Sequence, residues 1–137
     1  MNLAYYVLAF DQATDNFYDS LQIGLDYRAK ESSSMFTLGI NVDYMRELFE
    51  GDEIRITTQL LACDNKRMRY IHHMYQGTDP GVVAINECLA VHVDMNRRKS
   101  CPFPETTRRR IDSKLSKHLE LAVPEHAGRI LGKSFKN

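Results

Sequence analysis

The chain has 137 residues, 43% hydrophobic and 26% charged, the composition of one ordinary domain with a buried core and not of a disordered chain. Lys plus Arg and Asp plus Glu number 18 each, so charge gives no reason to expect nucleic acid or an anionic membrane as a partner. Cys63, Cys88 and Cys101 form no Cys-x-x-Cys, and no membrane-length apolar run or basic-then-apolar leader is visible; they read as free thiols of a cytoplasmic protein.

The first element is a helix over residues 3–21. Leu3, Val7, Phe10, Thr14, Phe17 and Leu21 recur at helical spacing, and Tyr6 and Ala13 widen the stripe. Asn2 is a competent N-cap and Gly24 a C-cap signal. Residues 25–34 read as an irregular connection with at most a turn of helix.

The period then changes to two. Phe36, Leu38, Ile40, Val42 and Tyr44 alternate with small or polar residues as a half-buried strand. After the turn at 50–53, Ile54, Ile56, Thr58, Leu60 and Ala62 share one face of a second strand. The turn at 64–67 leads to a third strand, RMRYIHHMYQG, and TDPG at 78–81 to a fourth, VVAINECLAVHVDM. The fourth is apolar on both faces and so central. Short turns predict antiparallel strands in a meander or near-meander. Pro102 and Pro104 end the sheet region. A short surface helix follows, capped by Thr106 or Thr107 and carrying Ile111, Leu115 and Leu119, then a tail docked through Ile130 and Leu131. The class is α+β: a sheet with one apolar face wrapped round one long helix.

Three stretches carry a family pattern: NxxYYxxxxDxATDxF over Asn2–Phe17, YxRExxxGDxxRxxTQLLxxDxKRxxxxHxMY over Tyr44–Tyr75, and ExxxxHVDxxxRxSxPFP over Glu87–Pro104. They resemble the hotdog-fold acyl-CoA thioesterases, in the 4-hydroxybenzoyl-CoA thioesterase-like branch of the betainyl-CoA thioesterase type. The resemblance covers about residues 2–104 and leaves 105–137 as a C-terminal helix and tail of the same single domain. It implies a long central helix wrapped by a curved antiparallel sheet, assembly as a homodimer or dimer of dimers, and a site at the dimer interface near the N-terminal end of that helix. The implied activity is hydrolysis of a small or medium acyl-CoA, with no cofactor and no metal.

In the family, one more strand and a loop of the form Asp-x-Asn-Gly-His-Met-Asn precede the helix. Met1 and Asn2 correspond to the end of that loop. The expectation is therefore a chain without the first strand and the loop acid, begun at an internal Met or shortened, with weak activity or none. The strand edge so exposed is expected to be covered by a neighbouring subunit or the C-terminal tail.

Thioester hydrolysis needs a carboxylate base or nucleophile, oxyanion donors and cations for the phosphates of coenzyme A. The first amides of the helix, at Asn2, Leu3 and Ala4, are the oxyanion candidates; against this, a helix start is often only capped and solvated. Leu3, Tyr5 and Tyr6 are the substrate-binding candidates, though core packing is the commoner role of such tyrosines. Asp11 and Asp15 lie too far along the helix. Glu87 falls on an apolar strand face where a lone carboxylate is costly, and His73 is its candidate partner; together they are either catalytic or a buried structural pair. Relatives carry an acid and a histidine where this chain has Gly39 and Asn41, which weakens the case for an intact site. Arg46, Lys66, Arg67 and Arg97 are the candidates for coenzyme A, against the ordinary role of solvated strand ends. His92 and Asp94 share a face and are expected to bond each other or backbone. The rival reading is a non-catalytic hotdog protein that binds acyl-CoA or serves in assembly. A hotdog dehydratase is disfavoured, since no Asp and His pair precedes the helix.

Overall fold

A computed structural model describes residues 2–128. The elements run α1 (Leu3–Ser20), α2 (Leu25–Glu31), β1 (Ser33–Tyr44), β2 (Ile54–Cys63), β3 (Arg67–Gln76), β4 (Val82–Asp94), β5 (Lys99–Ser100) and α3 (Glu105–His118). The tail expected to dock through Ile130 and Leu131 lies outside the described residues.

α1 forms as its stripe predicts, but that stripe starts later. Tyr6, Phe10, Phe17 and Leu21 are buried, whereas Leu3 is 60% exposed. The helix ends at Ser20, four residues before Gly24: Gln22 takes the left-handed conformation, and the Ile23 amide returns to the Tyr18 carbonyl at 2.9 Å. Gly24 instead opens α2, a true helix where an irregular connection was expected.

The sheet is antiparallel in the order β1-β4-β3-β2, with β5 on β4. β2, β3 and β4 make the expected meander, and β4 is central. β1 does not pair with β2: residues 45–53 cross to the far edge, and β1 pairs with β4. A nine-residue link, counted from 45 to 53, is long enough for that crossing, whereas a tight hairpin is not.

Two bulges break the predicted alternation. β1 shifts register between Thr37 and Gly39, so Ile40 opposes Cys88 on the helix side while Phe36 opposes Val91 on the other. The five apolar residues of β1 therefore do not share one face; Phe36, Leu38, Ile40 and Tyr44 are all at least 42% exposed. β2 shifts between Leu60 and Ala62, which turns Ala62 away from the helix side that Leu60 faces.

The core has two parts under α1. Tyr6 and Phe10 meet Leu48, Met74, Val83 and Ala84; Phe17 and Leu21 meet Leu60, Met68, Tyr70, Cys88, Phe103 and Ile111. α3 closes this second part. Its cap is Pro104 and neither threonine; Thr107 is buried, and Leu119 is exposed. α3 also lies along β2, where His118 Nδ1 accepts from the Leu60 amide at 2.8 Å. That covers one stretch of the free edge. Ile54, Ile56 and Thr58 instead border an open groove of about 470 Å³ against α1. The segment after α3 crosses the outer sheet face, with Ala122 accepting from Gln59 and Gly128 donating to Glu87.

Between the two core parts sits a buried polar knot. The His72 ring bonds Thr14 Oγ1 of α1 at 2.8 Å through Nε2 and Thr58 Oγ1 of β2 at 2.7 Å through Nδ1. A neutral imidazole can satisfy both, accepting at one nitrogen and donating at the other. Burial and the nearby His73 lower its pKa from 6.5 to about 4. The unfolded chain therefore takes up this proton first, so stability is full above about pH 6.5 and falls as pH drops toward 4, by about 1.4 kcal/mol per pH unit. Urea unfolding at about pH 7.5 and about pH 5 should show this loss, and His72→Gln should reduce it, the remainder coming from the other histidines that burial shifts down.

Candidate active site at the start of the long helix

Asn2 caps α1 as expected, its Oδ1 accepting from the Ala4 amide at 2.9 Å, and the Tyr5 amide turns back to the Asn2 carbonyl at 3.1 Å. Ala4 is thus engaged by the cap, which leaves Leu3 as the forward amide for an incoming oxygen. The helix dipole adds partial positive charge there. Leu3, Tyr5 and Leu8 are exposed around this start.

Tyr5 and Tyr6 divide as neighbouring helix positions must. Tyr6 is buried, and its hydroxyl accepts from the Leu48 amide at 3.0 Å and approaches the Arg46 carbonyl at 3.4 Å. Its ring meets Tyr44 edge to face, with centroids 5.1 Å apart. Tyr6 therefore fastens the β1–β2 link to the helix start, a role that sequence reasoning missed. The signal was a tyrosine rather than a phenylalanine on the buried stripe: a buried hydroxyl needs a partner.

Glu87 is buried on β4, but it does not pair with His73. Arg69 Nη1 lies 3.1 Å from Oε1, and the Gly128 amide donates to Oε2 at 2.7 Å. His73 opposes Ile85 and stacks against Tyr75; burial, with His126 nearby, lowers its pKa. Cys88 packs in the core under α1, so its neighbour Glu87 points to the opposite sheet face. The structure thus separates the three catalytic candidates: Asn2 lies at the helix start, and Glu87 and His73 lie on the outer face.

The basic candidates separate too. Arg46 follows β1, its amide bonded to the Val83 carbonyl, and pairs with Asp79 at 3.7 Å. The Lys66 carbonyl accepts from His92, nine residues further along β4, about 30 Å away at strand rise. Lys66 Nζ donates to Ser100, Arg67 pairs with Asp64 at 2.7 Å, and Arg97 lies 3.9 Å from Asp94. The Lys66 and Arg67 amides and the Arg67 side chain hold Asp64 down at about 2. Only Arg46 lies at the end where α1 begins. Arg110 donates to the Leu21 carbonyl and ties α3 to α1.

His92 and Asp94 do not bond each other. The Tyr27 hydroxyl lies 2.7 Å from His92 Nε2, and the Cys101 carbonyl 3.0 Å from Nδ1. This fits Nδ1 donating to the carbonyl and Tyr27 donating to Nε2. Asp94 holds the Asn96 and Arg97 amides in the next turn. Burial pushes the Cys101 thiol up, so it is not an activated thiolate. No group of His, Cys, Asp and Glu among the described residues could hold a metal ion, and no described helix is long and apolar enough to cross a membrane.

A long helix packed on an antiparallel sheet in this strand order is the hotdog fold. Residues 1–111 match the family described as the thioesterase-like superfamily, and the chain belongs to it. It is 34% identical to a betainyl-CoA thioesterase of Pseudomonas aeruginosa, over 94% of this chain and 81% of that protein. Among solved structures, a candidate thioesterase from Pseudomonas putida is 30% identical with a TM-score of 0.80, covering 96% of this chain and 83% of the other. A Staphylococcus aureus protein in complex with CoA has a TM-score of 0.88 at 24% identity, with 96% and 82% covered, and shows the same fold.

With Glu87 held by Arg69 and Gly128, Glu87→Gln should lower stability by about 1 kcal/mol, the half-exposed arginine being partly resolvated. Chemical denaturation should show that loss, and the rate of any thioester hydrolysis should stay unchanged; a large fall in rate at unchanged stability would restore Glu87 to the site.

Proposed function

We propose that this protein hydrolyses an acyl-CoA thioester at the start of α1, with betainyl-CoA as the first substrate to test. The observation that carries this reading is the capped but outward-facing N-terminus of α1 inside an exposed apolar and aromatic collar, in a chain of the thioesterase-like superfamily. The thioester oxygen, as it takes up negative charge, would lie against the Leu3 amide and the positive end of the helix. Water supplies the oxygen of the carboxylic acid, and the thiol of coenzyme A leaves with a proton. That chemistry needs no cofactor. Leu3 and Tyr5 would border the acyl group, with Tyr6 behind them as support, and Arg46 is the best placed of the four basic candidates for a phosphate. The site belongs to a cytoplasmic enzyme.

The reading also includes a homodimer. β1 is an edge strand with Phe36, Leu38 and Ile40 exposed, an aggregation-prone edge unless a second copy covers it. A dimer built on this edge brings the partner close to the start of α1. In sedimentation velocity the protein should run as a dimer or dimer of dimers, and Ile40→Lys should shift it toward monomer. A monomeric parent protein would remove this part of the reading.

A second reading has a specific observation behind it. Glu87 points away from α1 and is engaged by Arg69 and Gly128, so it is not a base for this site. The scaffold would then bind acyl-CoA without cleaving it. Release of free thiol from a panel of acetyl-, betainyl-, butyryl- and benzoyl-CoA separates the two: turnover of any member above the uncatalysed rate supports hydrolysis. Tight binding of coenzyme A without turnover supports the second reading.

A further inference from the structure

The rings around the start of α1 point to one kind of acyl group, and this rests on placing the thioester there. Tyr6 is immobilised, since its hydroxyl is held by the β1–β2 link and its body by Phe10, Leu48 and Val83. Tyr44 packs against it at 84° and 5.1 Å, so it too is fixed, yet it is 42% exposed. Phe49 follows Leu48, whose amide Tyr6 holds; its own amide is pinned to Asp52 at 2.8 Å, and its ring is 66% exposed. Tyr5 adds a third exposed ring on the helix itself. Large exposed rings on backbone this well fixed are unusual for a surface that only meets water.

The local charge has a sign. The link that carries Phe49 also carries Glu47, Glu50, Asp52 and Glu53. The arginine beside them, Arg46, is paired with Asp79. Such a rim does not suit an acidic acyl group, and it suits a cation. An ammonium with N–H groups would seek a carboxylate directly. A quaternary ammonium has no N–H to donate and is distinguished from its carbon isostere chiefly by the faces of aromatic rings and by the surrounding field.

We propose that Tyr44, backed by Tyr6, is the specificity-determining ring for an acyl group that ends in a quaternary ammonium. The carbonyl would sit at the Leu3 amide and the cation off the helix axis over Tyr44, away from the positive helix end.

The test is a binding comparison independent of turnover. The probes are the non-hydrolysable ketone analogues of betainyl-CoA and of 3,3-dimethylbutyryl-CoA, its neutral carbon isostere, titrated calorimetrically into the full chain. The cationic analogue should bind about tenfold more tightly. Tyr44→Leu should abolish that preference, the two analogues then binding with equal affinity, and a circular-dichroism spectrum matching the parent's reports that the variant is folded. Tyr44→Phe should keep it. Equal affinity of the two analogues for the parent protein, or a preference that survives Tyr44→Leu, overturns the inference and leaves the thioesterase reading standing. Binding of neither analogue overturns both. A preference of the expected size in a chain that turns over no acyl-CoA supports the ring and rejects hydrolysis.

Discussion

The fold depends on seating one helix face against a curved sheet that is not wholly apolar. His72 lies in the middle of that contact, fully buried, and its two ring nitrogens reach one threonine on α1 and one on β2. The geometry fixes more than a greasy patch would. Apolar residues tolerate sliding by a fraction of a turn, whereas an imidazole bonded on both sides sets the rotation and height of the helix together. Phe10 stacks on the same ring from one side and Tyr70 meets it edge-on from another, so packing and polarity agree on one position. The ring must stay neutral to do this, because a second N–H would face a hydroxyl while the charge remained buried.

Once α1 is fixed at its middle, its two ends serve different purposes. The C-terminal end is built into the core: Tyr18 and Tyr70 share a hydrogen bond at 2.7 Å, Phe17 and Leu21 are buried, and Arg110 of α3 reaches the Leu21 carbonyl. The N-terminal end is held by Tyr6 alone among its first four residues, and the other three turn outward. A helix start that is rigid and yet open is what an electrostatic site requires, since donors that need not reorganise stabilise developing charge best. The asymmetry follows from where the bulk lies in the sequence: Tyr5 and Leu8 fall off the buried stripe, and Leu3, in phase with Tyr6 and Phe10, is left exposed at its open end.

Periodicity located the elements well because each has a long run of it. The first helix and the four long strands lie within about two residues of their expected bounds, and the α+β class follows from that order alone. Three things escaped it. Strand order is not a local property: nothing in residues 33–63 records that β1 crosses to β4 rather than pairing with β2. Bulges are invisible to a period of two, because one extra residue moves every later side chain to the other face, as at Leu38 and Leu61. Long-range partners were the third. Glu87 was correctly read as a buried carboxylate in need of a partner, but Arg69 lies on the same face of the same strand as His73, and only the register, with Gly128 arriving from beyond α3, decides between them.

The basic candidates show a related effect with a sharper consequence. Arg46, Lys66, Arg67 and Arg97 are alike in sequence, each at the end of a strand. In an antiparallel sheet, strand ends alternate between its two edges, so residues at successive turns fall at opposite ends of the molecule. The turn before β3 and the turn after β4 share one end, which gathers Lys66, Arg67 and Arg97; the exit of β1 lies at the other, with Arg46 and the start of α1. Three of the four candidates therefore lie at the end away from the helix start. Arg55 also lies at the Arg46 end, with its guanidinium over the Tyr75 ring, and Arg46 itself is paired with Asp79. The antiparallel register thus keeps three of the four candidate cations away from the helix start of their own chain, so strand-end position in the sequence is a poor guide to which charges can act together.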